Sequence, residues 1–241
     1  MTWKTDLDRR VTDCRACPRL VRWRERVARE KVRRFAGEEY WGRPLPGFGD
    51  PGARLLIVGL APAAHGGNRT GRMFTGDESG NWLFRALHDA GFASQEASAH
   101  RRDGMELRDC YITAAARCAP PANKLSVAEL RRCRPFLLEE IAALRKVRVV
   151  VGLGRVGFEA ALQAYRASGR ITWEKKPAFG HGRVHTFGEI TVLASYHPSQ
   201  QNTFTGKLTR PMLDRIFAAA ADLVRRGLPP PGAAARRRVR S

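Results

Sequence analysis

Four of the five cysteines form two pairs, Cys14 with Cys17 two residues apart and Cys118 with Cys133 fourteen apart. Thiolates from two distant regions can close on one metal centre, and spacing alone leaves zinc and an iron–sulfur cluster equally open. Cys-x-x-Cys at the start of a chain, next to Pro18, is a poor position for a buried hydrophobe, which favours ligation over packing. Cys110, inside "DCYIT", alternates like a strand residue and is assigned to the core. A second concentration of chemistry is "GLAPAAHGGNRTGRMFTGD", residues 59–77, a polar, glycine-rich stretch holding His65, Asn68, Phe74 and Asp77. Glycine repeated where a strand should end means that something must approach the backbone closely. Asp77 has two readings: a reacting carboxylate, or the N-cap of a helix starting near Ser79. "RCAPPANK" (117–124) offers Asn123, and "YHPSQQN" (196–202) offers His197, Ser199 and Asn202.

All of these fall where predicted strands stop. "RLLIVGL" (54–60) is a continuous apolar run, suited to a strand buried on both faces. Further strands are expected at 109–116, 147–154 and from 190 into the "YHPS" loop. Helices are expected after the first cysteine pair and over 79–91, with Leu83, Phe84 and Leu87 on one face. "SVAE" (126–129) reads as a capping box, and Pro135 as the start of a fresh helix running to Leu144. Helices at 155–168 and 211–224 complete the set. Strand and helix alternate, which predicts an α/β fold: a four-stranded parallel sheet between helices, a three-layer αβα sandwich. Ligands of such sheets sit beyond the carboxyl ends of the strands. "GLGRVG" (152–157) fits the dinucleotide fingerprint but follows the third strand, with no acid-ended strand after it. Its glycines are assigned to tight strand–helix packing.

The chain has 241 residues, 43% of them hydrophobic, enough for one core without disulfide staples. A single domain over 1–228 is expected, followed by a basic tail at 229–241 read as disordered from its Pro, Ala and Arg content. The formal charge is +20, and removing the tail's four arginines still leaves +16. That points to a polyanion partner, nucleic acid ahead of an anionic membrane. No apolar run of membrane-spanning length and no signal-peptide pattern occur, so a soluble, intracellular, monomeric protein without a disulfide framework is expected. Two other classes fit parts of the pattern: a DNA-binding module with a structural zinc, and a nucleic-acid hydrolase using Asp77 and His197 around a divalent ion. Neither explains the whole of residues 59–77.

Taken together, the 59–77 motif, "RCAPPANK", "YHPSQQN" and the spaced cysteines resemble the family 5 uracil-DNA glycosylases, the iron–sulfur branch of that superfamily. The resemblance spans residues 10 to 226 and implies removal of uracil from single- or double-stranded DNA. Such chemistry requires the nucleotide to be rotated out of the helix. The resemblance implies a [4Fe–4S] cluster on Cys14, Cys17, Cys118 and Cys133. It implies a base pocket from Gly59, Ala61, Ala63, His65, Asn68, Phe74 and Ala114, Phe74 stacking on the base. His197 would donate to the departing base, Asp77 would serve the water or sugar cation, and Asn123 would reach the base; Ser199 and Asn202 would touch DNA. The chain departs from relatives at two places. Leu60 and Ala61 stand where relatives carry a carboxylate or asparagine, and Ala114 where they carry a uracil-reading asparagine. A pocket so altered should also admit hypoxanthine and other deaminated bases. Action on DNA implies a cytoplasmic, nucleoid-associated enzyme.

Overall fold

A computed structural model describes residues 3–226, so the basic tail assigned to 229–241 lies outside the described residues. Two helices open the chain, α1 (Trp3–Thr12) and α2 (Pro18–Glu30), and a short strand β1 (Phe48–Gly49) follows. Then come β2 (Leu55–Gly59), α3 (Gly67–Thr70), α4 (Glu78–Asp89), β3 (Cys110–Ala114) and α5 (Val127–Ala143). The remainder is β4 (Val149–Leu153), α6 (Gly154–Ala167), β5 (Val184–Phe187), β6 (Ile190–Ser195), α7 (Gln200–Phe204) and α8 (Arg210–Arg226). No described helix is long and apolar enough to cross a membrane.

The sheet has six strands in the order β1-β3-β2-β4-β6-β5. Its four central strands pair in parallel, as expected. The expected count of four is corrected to six, because β1 and β5 pair antiparallel at the two edges. Every residue of the four central strands is buried, as in a sheet covered on both faces. Alternation divides them between two cores. Leu55, Ile57, Cys110, Ile112 and Val151 face α4 and α8, so Cys110 is a packing residue. Leu56, Val58, Tyr111, Val150 and Val192 face α5 and α6.

The expected break at Pro135 is also corrected: α5 runs unbroken through it. A proline inside a helix forfeits one backbone hydrogen bond. Here Pro135 and Arg131, whose carbonyl loses its partner, are both exposed, so water can satisfy the group. The helix is anchored at its start by a complete capping box between Ser126 and Glu129. In "GLGRVG", a Cβ on Gly152 would stand 2.4 Å from Phe158 Cα and one on Gly157 would stand 2.3 Å from the Val58 carbonyl oxygen. Those glycines let α6 lie directly on the sheet. From β2 the chain steps to β3 on one side and then returns past β2 to β4 on the other, so the sheet's switch point lies at the carboxyl ends of β2 and β4.

Candidate active site

Beyond the end of β2, the Gly59 and Leu60 carbonyls accept hydrogen bonds from the Ala115 and Ala116 N–H groups at 2.9 and 3.0 Å, so the two exiting strands stay in register. Over this platform the 59–77 motif folds back on itself. Phe74 takes a left-handed backbone with φ +52°, unusual for a bulky residue, and such strain persists where surroundings enforce it. Here the enforcement is visible. A Cβ on Gly59 would stand 2.9 Å from the Phe74 ring, and one on Gly80 would stand 1.9 Å from the Phe74 carbonyl oxygen. The other face of the site comes from the loop after β6: the His197 ring lies 5.7 Å from that of Phe74, tilted by 30°. His197 is half-buried, and desolvation lowers its pKa to about 4, so the imidazole is neutral near pH 7. Its backbone carbonyl accepts a 2.8 Å hydrogen bond from Asn202 Nδ2.

Both readings of Asp77 find a place in the geometry. Oδ1 accepts the Gly80 N–H at 2.9 Å as the N-cap of α4. Oδ2 turns the other way, where a Cβ on Gly66 would stand only 1.8 Å from it. Burial raises the Asp77 pKa in spite of the capping N–H. The glycines of the motif are therefore explained at close range by the protein's own side chains, Phe74 at Gly59 and Asp77 at Gly66, rather than by a nucleotide alone.

Two arginines not singled out from the sequence hold this loop. Arg69 donates to the His65 and Gly76 carbonyls at 2.8 and 2.7 Å, pairs with Glu38 and stacks on Phe35. Arg72 donates to Thr75 Oγ1, Ser98 Oγ and Asp103, holding the Asp103 carboxyl down to about 2. Both are buried, so neither is a surface phosphate contact. Their only sequence signal is position, inside a glycine-rich turn that needs internal donors.

The remaining expected residues separate. Ala61 and Ala63 lie half-buried on the motif, Ala114 closes β3 opposite Gly59, and His65 Nδ1 lies 3.0 Å from the Tyr40 hydroxyl. Asn68 is fully buried: its Nδ2 donates to the Arg24 carbonyl at 3.2 Å, and its Oδ1 has no hydrogen-bond partner among the described residues. Asn123 is exposed in a left-handed turn with φ +55°, and Ser199 heads α7 without a side-chain capping bond. Asn202 spends its amide on the His197 carbonyl. Phe204, at the end of α7, is 79% exposed, ahead of Val127 at 73% among the described residues.

Cys14, Cys17, Cys118 and Cys133 converge from three places, the end of α1, the N-cap of α2 and the β3–α5 region, to line one small cavity with Leu20 and Phe136. Cys133 sits within α5 rather than ahead of a break. Burial pushes the thiols of Cys118 and Cys133 up to about 11 and 12. Arg24 Nη1 donates to Cys118 Sγ at 3.1 Å, and the Arg117 N–H to Cys133 Sγ at 3.3 Å. Among the described residues no three His, Cys, Asp or Glu side chains are drawn close enough to grip a single ion. The donor set, all sulfur and with N–H groups aimed at Cys118 and Cys133, is of a kind that holds an iron–sulfur cluster.

Residues 46–221 match the family model of the uracil DNA glycosylase superfamily. The chain is 50% identical over 220 residues to a type-5 uracil-DNA glycosylase of Mycobacterium tuberculosis, covering 90% of this chain and 81% of that one. To the type-5 enzyme of Mycobacterium leprae it is 49% identical, covering 90% and 94%. To that of Thermus thermophilus it is 49% identical over 214 residues, covering 88% and 94%.

Proposed function

Since the chain belongs to the uracil DNA glycosylase superfamily, and within it to the type-5 enzymes, we propose that it excises uracil from DNA by hydrolysing the N-glycosidic bond. The observation that carries this reading to particular side chains is the opposition of Phe74 and His197 across the carboxyl ends of β2 and β4. Breaking the bond puts negative charge on the departing base and positive charge on the sugar. A neutral His197 N–H directed at the base carbonyl stabilises the first, an effect typically worth about 3 kcal/mol. Oδ2 of Asp77, beside Gly66 and not used in the cap, serves the second, orienting water or facing the sugar cation, while Oδ1 stays fixed as the cap. Phe74 offers the ring on which the flipped base stacks, and Ser199 a hydroxyl for a phosphate. With Ala114 where an asparagine would read uracil, the pocket also takes hypoxanthine and related deaminated bases. Single- and double-stranded DNA are both substrates, the enzyme acts as a monomer, and its place is at the cytoplasmic nucleoid.

A [4Fe–4S] cluster on Cys14, Cys17, Cys118 and Cys133 belongs to the same reading; when bound it ties the N-terminal helices to the β3–α5 region and so contributes folding energy. The test of function is strand scission by alkali after incubation with duplexes carrying one uracil, one hypoxanthine or no damage. Cleavage is expected at both deaminated bases and not in undamaged DNA. Cleavage of undamaged DNA that disappears with a chelator would overturn the reading in favour of a metal-dependent hydrolase.

A further inference from the structure

Arg24 is 2% exposed, yet its balance of charge differs from that of Arg117, the one other described arginine buried as deeply. Arg117 meets the buried Glu140 carboxylate at 2.5 Å. Arg24 has only the grazing 3.9 Å approach of Glu25, whose carboxylate is taken by Arg15 at 2.5 Å. Its other contacts are Cys118 Sγ and, at 3.2 Å from Nη2, the Cys14 carbonyl, and its Nε has no partner. A guanidinium removed from water without an anion is strongly unfavourable, and a neutral thiol does not supply one. A metal-bound thiolate does, converting the Arg24–Cys118 contact to a charge-assisted bond. At its other end, the Arg24 carbonyl holds Asn68, the fully buried residue whose backbone N–H closes on Ala63 and whose carbonyl receives Gly42. Residues 66–71 are the turn against which Asp77 lies.

We propose that Arg24 is a positioning residue that makes the 66–71 turn depend on a loaded thiolate centre. The inference rests on the cluster reading above. With the centre loaded, the buried cation is neutralised and α2 stays seated on Asn68. With it emptied, the guanidinium must reach water, and α2 draws away from the turn. The substitution Arg24→Gln abolishes the dependence, because no charge remains to be neutralised, whereas Arg24→Lys retains it.

The experiment is hydrogen exchange on the purified full-length holoproteins, before and after iron removal, with iron and sulfide measured on each. In wild type and Arg24→Lys, iron removal is expected to speed exchange at residues 66–71 by about tenfold or more, with α8 unchanged. In Arg24→Gln it is expected to leave 66–71 unchanged. The loaded Gln variant should also release iron to a chelator about 10- to 100-fold faster, as supporting groups around metal sites typically do when lost. A wild type whose 66–71 exchange ignores iron removal overturns the proposal even if the Gln variant does not fold. So does a Gln variant that responds as wild type does, or a loss of protection throughout α8. A wild type without iron and sulfide instead overturns the cluster reading, and this inference with it.

Discussion

At the scale of single residues, the site divides its work by burial. His197 is held neutral by desolvation with a pKa of about 4, so base removal should show no transition near the ordinary histidine value of 6.5. The same depression has a stability consequence. The unfolded chain binds the His197 proton more readily than the folded one, so folding stability is full above pH 6.5 and is lost as pH falls toward 4. Chemical denaturation across that window should show the slope, and His197→Asn should flatten it. Kinetically, His197→Ala should slow poor leaving bases more than good ones, measured as single-turnover rates on a substituted-uracil series. Asp77 has the opposite shift. Its carboxyl titrates above the usual value, so activity should rise with pH along an acid limb that Asp77→Asn removes while slowing uracil and hypoxanthine release by a similar factor. Gly66→Ala should reproduce that loss with Asp77 intact, because the added methyl occupies the place of Oδ2. Retention of full activity by folded Gly66→Ala would contradict the Asp77 assignment. Of this arrangement, the sequence disclosed Asp77's two alternatives but not that one oxygen could serve each. Nor could it show that Asn68 turns inward, since its direction depends on the packing of α2 against α3.

At the scale of elements, legibility followed burial. Four strands with every residue buried leave unbroken apolar runs, and all four were readable. The edge strands were not: β1 has two residues, and β5 is half-exposed with no alternation to mark it. A signal for β5 was nevertheless present, because Gly188 with φ +54° and Glu189 form a two-residue link from β5 into β6. Pro135 misled for a physical reason, as an exposed helix face lets water replace the lost bond. The unbroken α5 matters because it carries both Cys133 and Glu140, the partner of Arg117, on one rigid rod. Cys133→Ala or Cys118→Ala should therefore bleach the visible absorbance of the iron-replete protein and reduce its soluble yield. Colourless wild type prepared anaerobically with iron would contradict that expectation. The packing glycine offers an independent check. Gly157→Ala puts a methyl 2.3 Å from the Val58 carbonyl oxygen, so α6 must lift from β2, at a cost of about 1–3 kcal/mol in denaturant titration.

At the scale of the whole molecule, a charge of +20 has to be divided between arginines that build the fold and arginines left for a partner. Arg24, Arg69, Arg72 and Arg117 are buried and belong to the first group, which composition alone cannot reveal. Arg22 and Arg43 belong to the second: both are exposed, and neither forms a salt bridge among the described residues. They line neighbouring grooves on the two sides of α2. The groove holding Arg43 also contains Tyr40, whose hydroxyl meets His65, so it runs up to the 59–77 motif. A DNA backbone leaving the site along these two grooves would meet the exposed guanidinium groups of Arg43 and Arg22. Each phosphate neutralised releases condensed counterions, and for duplex DNA contributes about −0.9 to the slope of log affinity against log salt. Arg22→Ala and Arg43→Ala should each flatten that slope by about 1 and weaken binding to uracil-containing and undamaged duplexes equally. Deleting 229–241 removes four arginines and should flatten it by no more than about 4, again without changing which base is removed. Fluorescence anisotropy at several salt concentrations gives all these slopes. An unchanged slope in both single variants would remove α2 from the DNA path, and a changed base preference would mean that these arginines act on the flipped nucleotide rather than on the backbone.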